Sequence, residues 1–305
     1  MPTKDHQQLL PVLSCLLAAT LWGVMWYPLR LLEAWGLSGL WAALIIYTSA
    51  LLPVFPGFWA QRRGIAQQPL TLLVISAAAG WANLGFILAV LEGNVVRVLL
   101  LFYLSPIWTV LLGWFLLDER LSKPAWVSIF IAVAGAIIML WQPGTSLPVP
   151  ASTADMLAIS AGFAFAVLNV FLRRAGAMPL VLKMTSSSLG VVLLSALGIL
   201  VMQPLLPVWT ASGLILSILI GAAGIVCMTY AAQYGVTHLP VHRSAVLFLV
   251  EIVAGAISAA LLTDETVALR EWTGGALVVL AAWLTAFDTL YGKQSSLSQS
   301  NQRMT

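Results

Sequence analysis

The thirty residues RVLLLFYLSPIWTVLLGWFLLDERLSKPAW (97–126) align without a gap with RSAVLFLVEIVAGAISAALLTDETVALREW (243–272), 146 positions later. Arg97 meets Arg243, Leu101 meets Leu247, Phe102 meets Phe248 and Leu116 meets Leu262. Asp118-Glu119 meets Asp264-Glu265, and Trp126 meets Trp272. Apolar composition alone supplies about three identities in such a comparison, and this one has seven in thirty pairs. The two stretches are the fourth and the ninth apolar runs of the chain. A unit with an odd number of membrane-crossing helices must lie in opposite orientations in its two copies, an arrangement typical of secondary transporters.

The rest of the chain requires lipid as its solvent. Of 305 residues, 61% are hydrophobic and 8% charged, and the mean hydropathy is +0.98. A water-soluble domain carries roughly 25% charged residues. A lipid-spanning helix needs about 20 mostly apolar residues, because every backbone polar group must be satisfied internally. Runs of that kind fall near 9–31, 39–59, 70–91, 97–117, 124–141, 154–172, 179–202, 211–234, 244–262 and 272–290.

The net charge of +3 is carried by basic residues scattered singly or in pairs through short loops, which argues for topology over nucleic-acid binding. With the N-terminus inside, Lys4, Arg62, Arg63, Arg120, Lys123, Arg173, Arg174, Lys183, Arg243, Lys293 and Arg303 are cytoplasmic. Arg30, Arg97 and Arg270 are then external, and both termini are expected inside. Cys15 and Cys227 both sit in apolar runs and read as packing residues, not a disulfide framework. The lipoprotein-like Val12-Leu13-Ser14-Cys15 is passed straight through by an apolar run that reaches Leu31, against either lipidation or a cleaved leader.

Three motifs resemble the drug/metabolite transporter superfamily, in particular its ten-helix EamA-type members. The first is Leu21-Trp22-Gly23. The second is Leu104-Ser105-Pro106 followed by Leu116-Leu117-Asp118-Glu119-Arg120-Leu121. The third is Glu251 followed by Thr263-Asp264-Glu265. Ile252 stands where the family often has a second proline, and Asp118 and Asp264 replace its usual glycine. Within the family the chain most resembles aromatic amino acid exporters of the YddG type. That resemblance implies export of amino acids, aromatic ones preferred, from the cytoplasm.

Polar and aromatic side chains at membrane depth are the candidate substrate contacts. Glu251 lies roughly 10 Å inside its helix at about 1.5 Å per residue. It reads either as a contact for a substrate amino group or a proton site, or as a neutral or capped carboxyl tying helices together. Lys183 can pair with Glu251 or snorkel to the interface. Ser187, between Ser186 and Ser188, fits a polar cavity wall or simply close helix approach. Asn83 and Asn169 are expected to face the interior. Trp22 and Trp26, one helical turn apart, join Trp81, Tyr103 and Trp108 as candidates for an aromatic-lined cavity, or are packing bulk. Seven tryptophans near helix ends fit interfacial belts. Pro106 is expected to kink the fourth helix as a gate element, with Pro28 and Pro53 acting similarly. Gly80, Gly85, Gly113, Gly221, Gly224 and Gly255 are expected at close helix contacts. The Asp118-Glu119 and Asp264-Glu265 pairs are expected to cap or orient helix ends.

No Gly-x-x-x-x-Gly-Lys loop is present. His6, His238 and His242 lie outside helix cores and match no zinc-protease spacing, so a membrane enzyme is disfavoured. A channel-like facilitator, or a drug or other-metabolite exporter on the same fold, remains the alternative. The expectation is an all-α membrane protein of ten helices in two inverted five-helix repeats, 1–145 and 146–292, with a disordered cytoplasmic tail at 293–305. It works by alternating access in the bacterial inner membrane, with amino acids and lipid as partners. It needs no cofactor, metal or nucleic acid, and a monomer suffices.

Overall fold

A computed structural model describes residues 4–37, 39–93, 95–141, 150, 152–262 and 268–302. Every regular element among them is helical. In the first half, α1 (Lys4–Val24) and α2 (Trp26–Ala34) form one span interrupted at Met25. Pro28 has no N–H for the Val24 carbonyl, and the turn before it is tightened, Met25 N donating three residues back to Trp22 O at 3.0 Å. The second span begins with α3 (Gly39–Gln61), which continues without interruption through Pro53 and Pro56. It is followed by α4 (Pro69–Glu92), α5 (Val95–Phe102), α6 (Ser105–Leu117) and α7 (Lys123–Leu140). The Ser122 hydroxyl caps α7 by accepting from Ala125 N at 3.3 Å.

The second half starts with α8 (Thr153–Arg174), capped by Ser152 through Asp155 N at 3.2 Å. Next come α9 (Leu180–Met202) and α10 (Ala211–Leu219), the latter capped by Thr210. A π-helical turn at Ile220–Ile225 joins α10 to α11 (Val226–His238). The chain closes with α12 (Val241–Phe248), α13 (Val250–Leu262) and α14 (Leu269–Gln302).

Among the described residues, seven spans are long and apolar enough to cross a membrane: Leu9–Ala34, Gly39–Gln67, Pro69–Val90, Thr153–Arg174, Leu180–Met202, Ala211–His238 and Val241–Leu262. Ser105–Leu117, Lys123–Ile138 and Trp272–Thr285 are apolar but shorter. Large apolar side chains such as Leu73, Phe115, Phe130, Leu193 and Leu261 point outward, as lipid as solvent requires. The chain is a multi-pass membrane protein.

The helices pack through small residues. Among the glycines expected at close contacts, Gly80 lies against the Gly190 carbonyl, Gly113 against Val241 and Gly221 against the Ile46 carbonyl. Gly85 and Gly255 make ordinary contacts, and Gly224 has only Ile220 Cγ2 within reach, at 4.0 Å. Gly190, backed against the Ser76 carbonyl, is a close point that no motif marked. Helix α4 packs on α8 and α9, α3 on α9 and α7 on α14, while α1 lies along α11, α12 and α13. Helix α6 packs on α8 and α12. Cys15 is buried against Gly235 as a packing residue, whereas Cys227 is exposed. Asp264-Glu265 and most of the loop 142–153 lie outside the described residues, as do the side chains of Lys4, Arg97, Lys293 and Arg303. The stretch 293–305 also falls there, apart from the α14 backbone, which is helical to Gln302.

Candidate functional site

Two spans break near their middles, and the breaks face each other. The first falls at Tyr103-Leu104, between α5 and α6. Pro106 cannot donate to the Phe102 carbonyl, so the chain tightens into i→i+3 bonds, Leu104 N to Leu101 O at 3.4 Å and Ile107 N to Leu104 O at 3.0 Å. Pro106 thus opens a new helix instead of kinking a continuous one. The second break falls at Leu249, between α12 and α13, where Leu249 N donates to Val246 O and Ile252 N to Leu249 O, each at 3.1 Å.

From these breaks Tyr103 and Glu251 reach one another, phenol beside carboxyl. A third element closes on the pair. Gly23 on α1 sits directly on the α13 backbone, where an added Cβ would lie 2.5 Å from Glu251 O and 2.9 Å from Gly255 N. The glycine of the Leu21-Trp22-Gly23 motif is there because only a bare backbone fits.

Beside the pair lies an aromatic cluster. Phe102 meets Phe86 at 5.1 Å, Tyr103 at 5.6 Å and Phe165 at 5.7 Å between ring centroids. Phe165 in turn meets Phe248 at 6.1 Å. Phe102 and Phe248, matched by the internal repeat, therefore flank one ring of α8. A carboxylate and a phenol beside flat rings can hold an ammonium or a proton while an aromatic or aliphatic side chain stacks.

The other expected residues divide into separate groups. Trp26 Nε1 donates to Ser258 Oγ at 2.9 Å, clamping α2 to α13, and Trp22 packs against the apolar cluster to which Met25 and Tyr47 belong. Trp81 Nε1 donates to Ser160 Oγ at 3.2 Å, and Trp108 packs edge-on to Phe163 at 5.8 Å. Asn83 donates to the Tyr47 hydroxyl at 3.3 Å, and Asn169 is buried on α8. Ser187 belongs to a different polar group, donating to Lys183 O at 3.0 Å and accepting from Gln233 Nε2 at 2.9 Å. Sequence reading missed Phe86, Phe165, Ser258 and Gln233. For Phe102 and Phe248 the repeat itself was the available signal.

Lys183 neither pairs with Glu251 nor snorkels. It is wholly buried, and Nζ donates to Gly176 O at 2.9 Å, Thr237 Oγ1 at 2.9 Å and Leu172 O at 3.3 Å. The reason is local, since the end of α8 presents unpaired carbonyls and a negative dipole that an ammonium satisfies. Glu119 does orient helix ends. Its Oε2 accepts from Val241 N, the first residue of α12, at 2.8 Å, and its Oε1 accepts from Arg173 Nε at 3.2 Å. Among the described residues, no group of three or more His, Cys, Asp or Glu is placed to hold a metal.

Comparison with known proteins fits this architecture. The profile of the EamA-like transporter family matches twice, over residues 9–141 and 152–287. The chain belongs to the EamA-like transporter family. An uncharacterized transporter of Pseudomonas aeruginosa is 31% identical over 144 residues, covering 44% of this chain and 46% of the relative. The protein RarD of Salmonella typhi is 32% identical over 111 residues, 35% of each. An uncharacterized transporter of Vibrio cholerae is 29% identical over 158 residues, 50% of this chain and 51% of the relative. The chain thus spans about half or less of the curated relatives it matches. A crystal structure of a protein superposes with a TM-score of 0.71 at 18% identity, over 90% of this chain and 94% of that one, a likeness of fold alone. Family and relatives point to a membrane transporter rather than an enzyme.

Proposed function

We propose that this member of the family exports amino acids, aromatic ones preferred, across the bacterial inner membrane by alternating access. The observation that carries the reading is the Tyr103–Glu251 pair, set at two facing helix breaks and bordered by Phe102, Phe165 and Phe248. Glu251 receives the substrate ammonium, Tyr103 orients the carboxylate, and the rings receive the side chain. Trp22, Trp26, Trp81, Asn83, Trp108, Asn169 and Ser187 complete the wall as the two halves move.

The transport frame is ten helices in two inverted repeats, 1–145 and 146–292, with both termini cytoplasmic. Three observations support it. The shorter apolar helices α6, α7 and the apolar part of α14 bring the seven long spans to ten. The family profile matches each half once. Exchanging the halves also maps the contact of α1 with α11 onto that of α8 with α4, while α7 with α14 maps onto itself. Five spans per copy make the copies antiparallel.

The test is uptake of labelled phenylalanine, tryptophan and threonine into proteoliposomes, with and without a pH gradient, beside Glu251→Gln and Tyr103→Phe. Saturable aromatic uptake that unlabelled analogues compete away, and that Glu251→Gln abolishes, supports the reading. Uptake without counterflow indicates a channel-like facilitator. No amino acid uptake under any gradient overturns the substrate and directs the search to drugs and other metabolites.

A further inference from the structure

Two polar networks occupy the membrane face where α6, α8 and α11 end and α9 and α12 begin, and they differ in a way that matters for motion. The Lys183 network lies wholly within the second half. It joins α9 to the end of α8 through Leu172 O and Gly176 O, and to α11 through Thr237 Oγ1, with no exposed surface on the lysine. Parting these groups would strand a buried ammonium, so they stay together through any movement.

The Glu119 network crosses from one half to the other. Glu119 follows α6 and belongs to the first half, and each of its partners belongs to the second. Oε1 takes Arg173 Nε at 3.2 Å, Oε2 takes Val241 N at 2.8 Å, and His242 Nδ1 stands 3.9 Å from Oε2. Arg173 carries the connection on to Thr237 O at 2.6 Å, so it ends on the residue that also holds Lys183. The crossing groups keep contact with the outside, the Arg173 side chain being 31% and the Glu119 side chain 16% exposed. Water can replace these bonds when they part, which makes the ion pair separable where the lysine is not.

The backbone prepares the contact. Asp118 adopts a left-handed conformation, φ 54°, and Glu119 N returns to Gly113 O at 3.2 Å, which turns the Glu119 side chain back toward α12. Gly113 leaves room for Val241 at the same point.

We propose that Glu119 and Arg173 form a latch that holds the two halves shut at this face, the cytoplasmic one, and that opening the carrier inward breaks it. This rests on the two-half transporter reading above. The separable bonds straddle the boundary between halves and the inseparable ones lie within a half, the distribution a rocking carrier requires.

The test reads opening directly and needs no substrate. In a Cys227→Ser background, Val110→Cys places a thiol on the buried face of α6, among Val246 and Leu249. Its reaction with a membrane-impermeant maleimide is timed from the cytoplasmic side of inside-out vesicles. Glu119→Gln, which keeps an acceptor for Val241 N, and separately Arg173→Gln are each expected to speed labelling about five- to tenfold. Arg173→Lys should fall between Arg173→Gln and the parent. Variants are compared only where their size-exclusion profile matches the parent, and two independent variants guard against one misfolding. Labelling that is unchanged in folded Glu119→Gln and Arg173→Gln overturns the latch and makes the network a static brace. Failure of the export reading shows separately, as absent amino acid uptake beside normal labelling.

Discussion

Gly190 is the point at which the packing of α4 on α9 can be tested most sharply. A Cβ built there overlaps the Ser76 carbonyl oxygen and stands 2.5 Å from its carbon and 2.9 Å from Ser76 Cα. The obstacle is backbone, so no rotamer change relieves it. The carbonyl oxygen is nearer still than its carbon, so restoring an ordinary contact of about 3.4 Å needs the two helices to part by roughly 1.5 Å. Overpacking of this kind costs about 1–3 kcal/mol, and a backbone clash belongs at the upper end. Alanine returns about 0.5–1 kcal/mol through helix propensity. Gly190→Ala should therefore destabilise by about 2 kcal/mol, a fall of about 3 °C in the melting temperature of the purified protein followed by tryptophan fluorescence. Gly224→Ala is the matched control, since its Cβ meets nothing nearer than Ile220 Cγ2 at 4.0 Å. It should leave the midpoint unchanged or slightly raised. Equal midpoints for the two variants would refute the claim that α4 and α9 touch backbone to backbone at Ser76.

Asp118→Gly removes the side-chain penalty of a residue at φ 54° and should stabilise by about 0.5–1 kcal/mol, whereas Asp118→Val should destabilise by more, read as opposite shifts of the same midpoint. Lys183→Met keeps the apolar stem but leaves Leu172 O, Gly176 O and Thr237 Oγ1 without their donor. It should cost about 1–3 kcal/mol, and a midpoint above the parent's would mean that relief from burying the ammonium dominates. Ser258→Ala takes the acceptor from Trp26 Nε1 and should cost about 1 kcal/mol, with Trp26→Phe adding little on top, since both remove one bond.

Elements defined by periodicity and span length were legible from residues alone. Six of the seven long spans fall within a few residues of the expected runs, Gly39–Gln67 running eight residues past its own, because a helix in hydrocarbon must bury about 20 apolar residues in succession whatever it packs against. Local chemistry was legible in part. Pro106, expected to kink the fourth helix, interrupts it fully, both following from its missing N–H, while the left-handed turn at Asp118 went unread although Asp stands there in place of the usual glycine. Lys183 was not legible. Its partners are carbonyls at the end of another helix, and no residue type announces a carbonyl that tertiary packing has left unpaired. Gly190 was missed for a related reason, since the atom it must avoid, Ser76 O, is backbone and identical at every position.

The two halves reach similar breaks by different means, which explains why only one of the two interruptions had a signal in the sequence. In the first half proline enforces the break from within the chain. In the second half Ile252 has an N–H and still donates three residues back to Leu249 O, so sequence alone gives no reason for the interruption. The reason lies across the bundle, where Gly23 brings the α1 backbone onto Glu251 O, Ala254 and Gly255. A break imposed by packing needs that packing to persist. Bulk at position 23 should therefore disturb the setting of Glu251 as well as the α1–α13 contact, while bulk at an ordinary lipid-facing position of α1 such as Leu13 should disturb neither. The Trp22-Gly23 motif and the Glu251 motif, read as separate resemblances, are two sides of one contact.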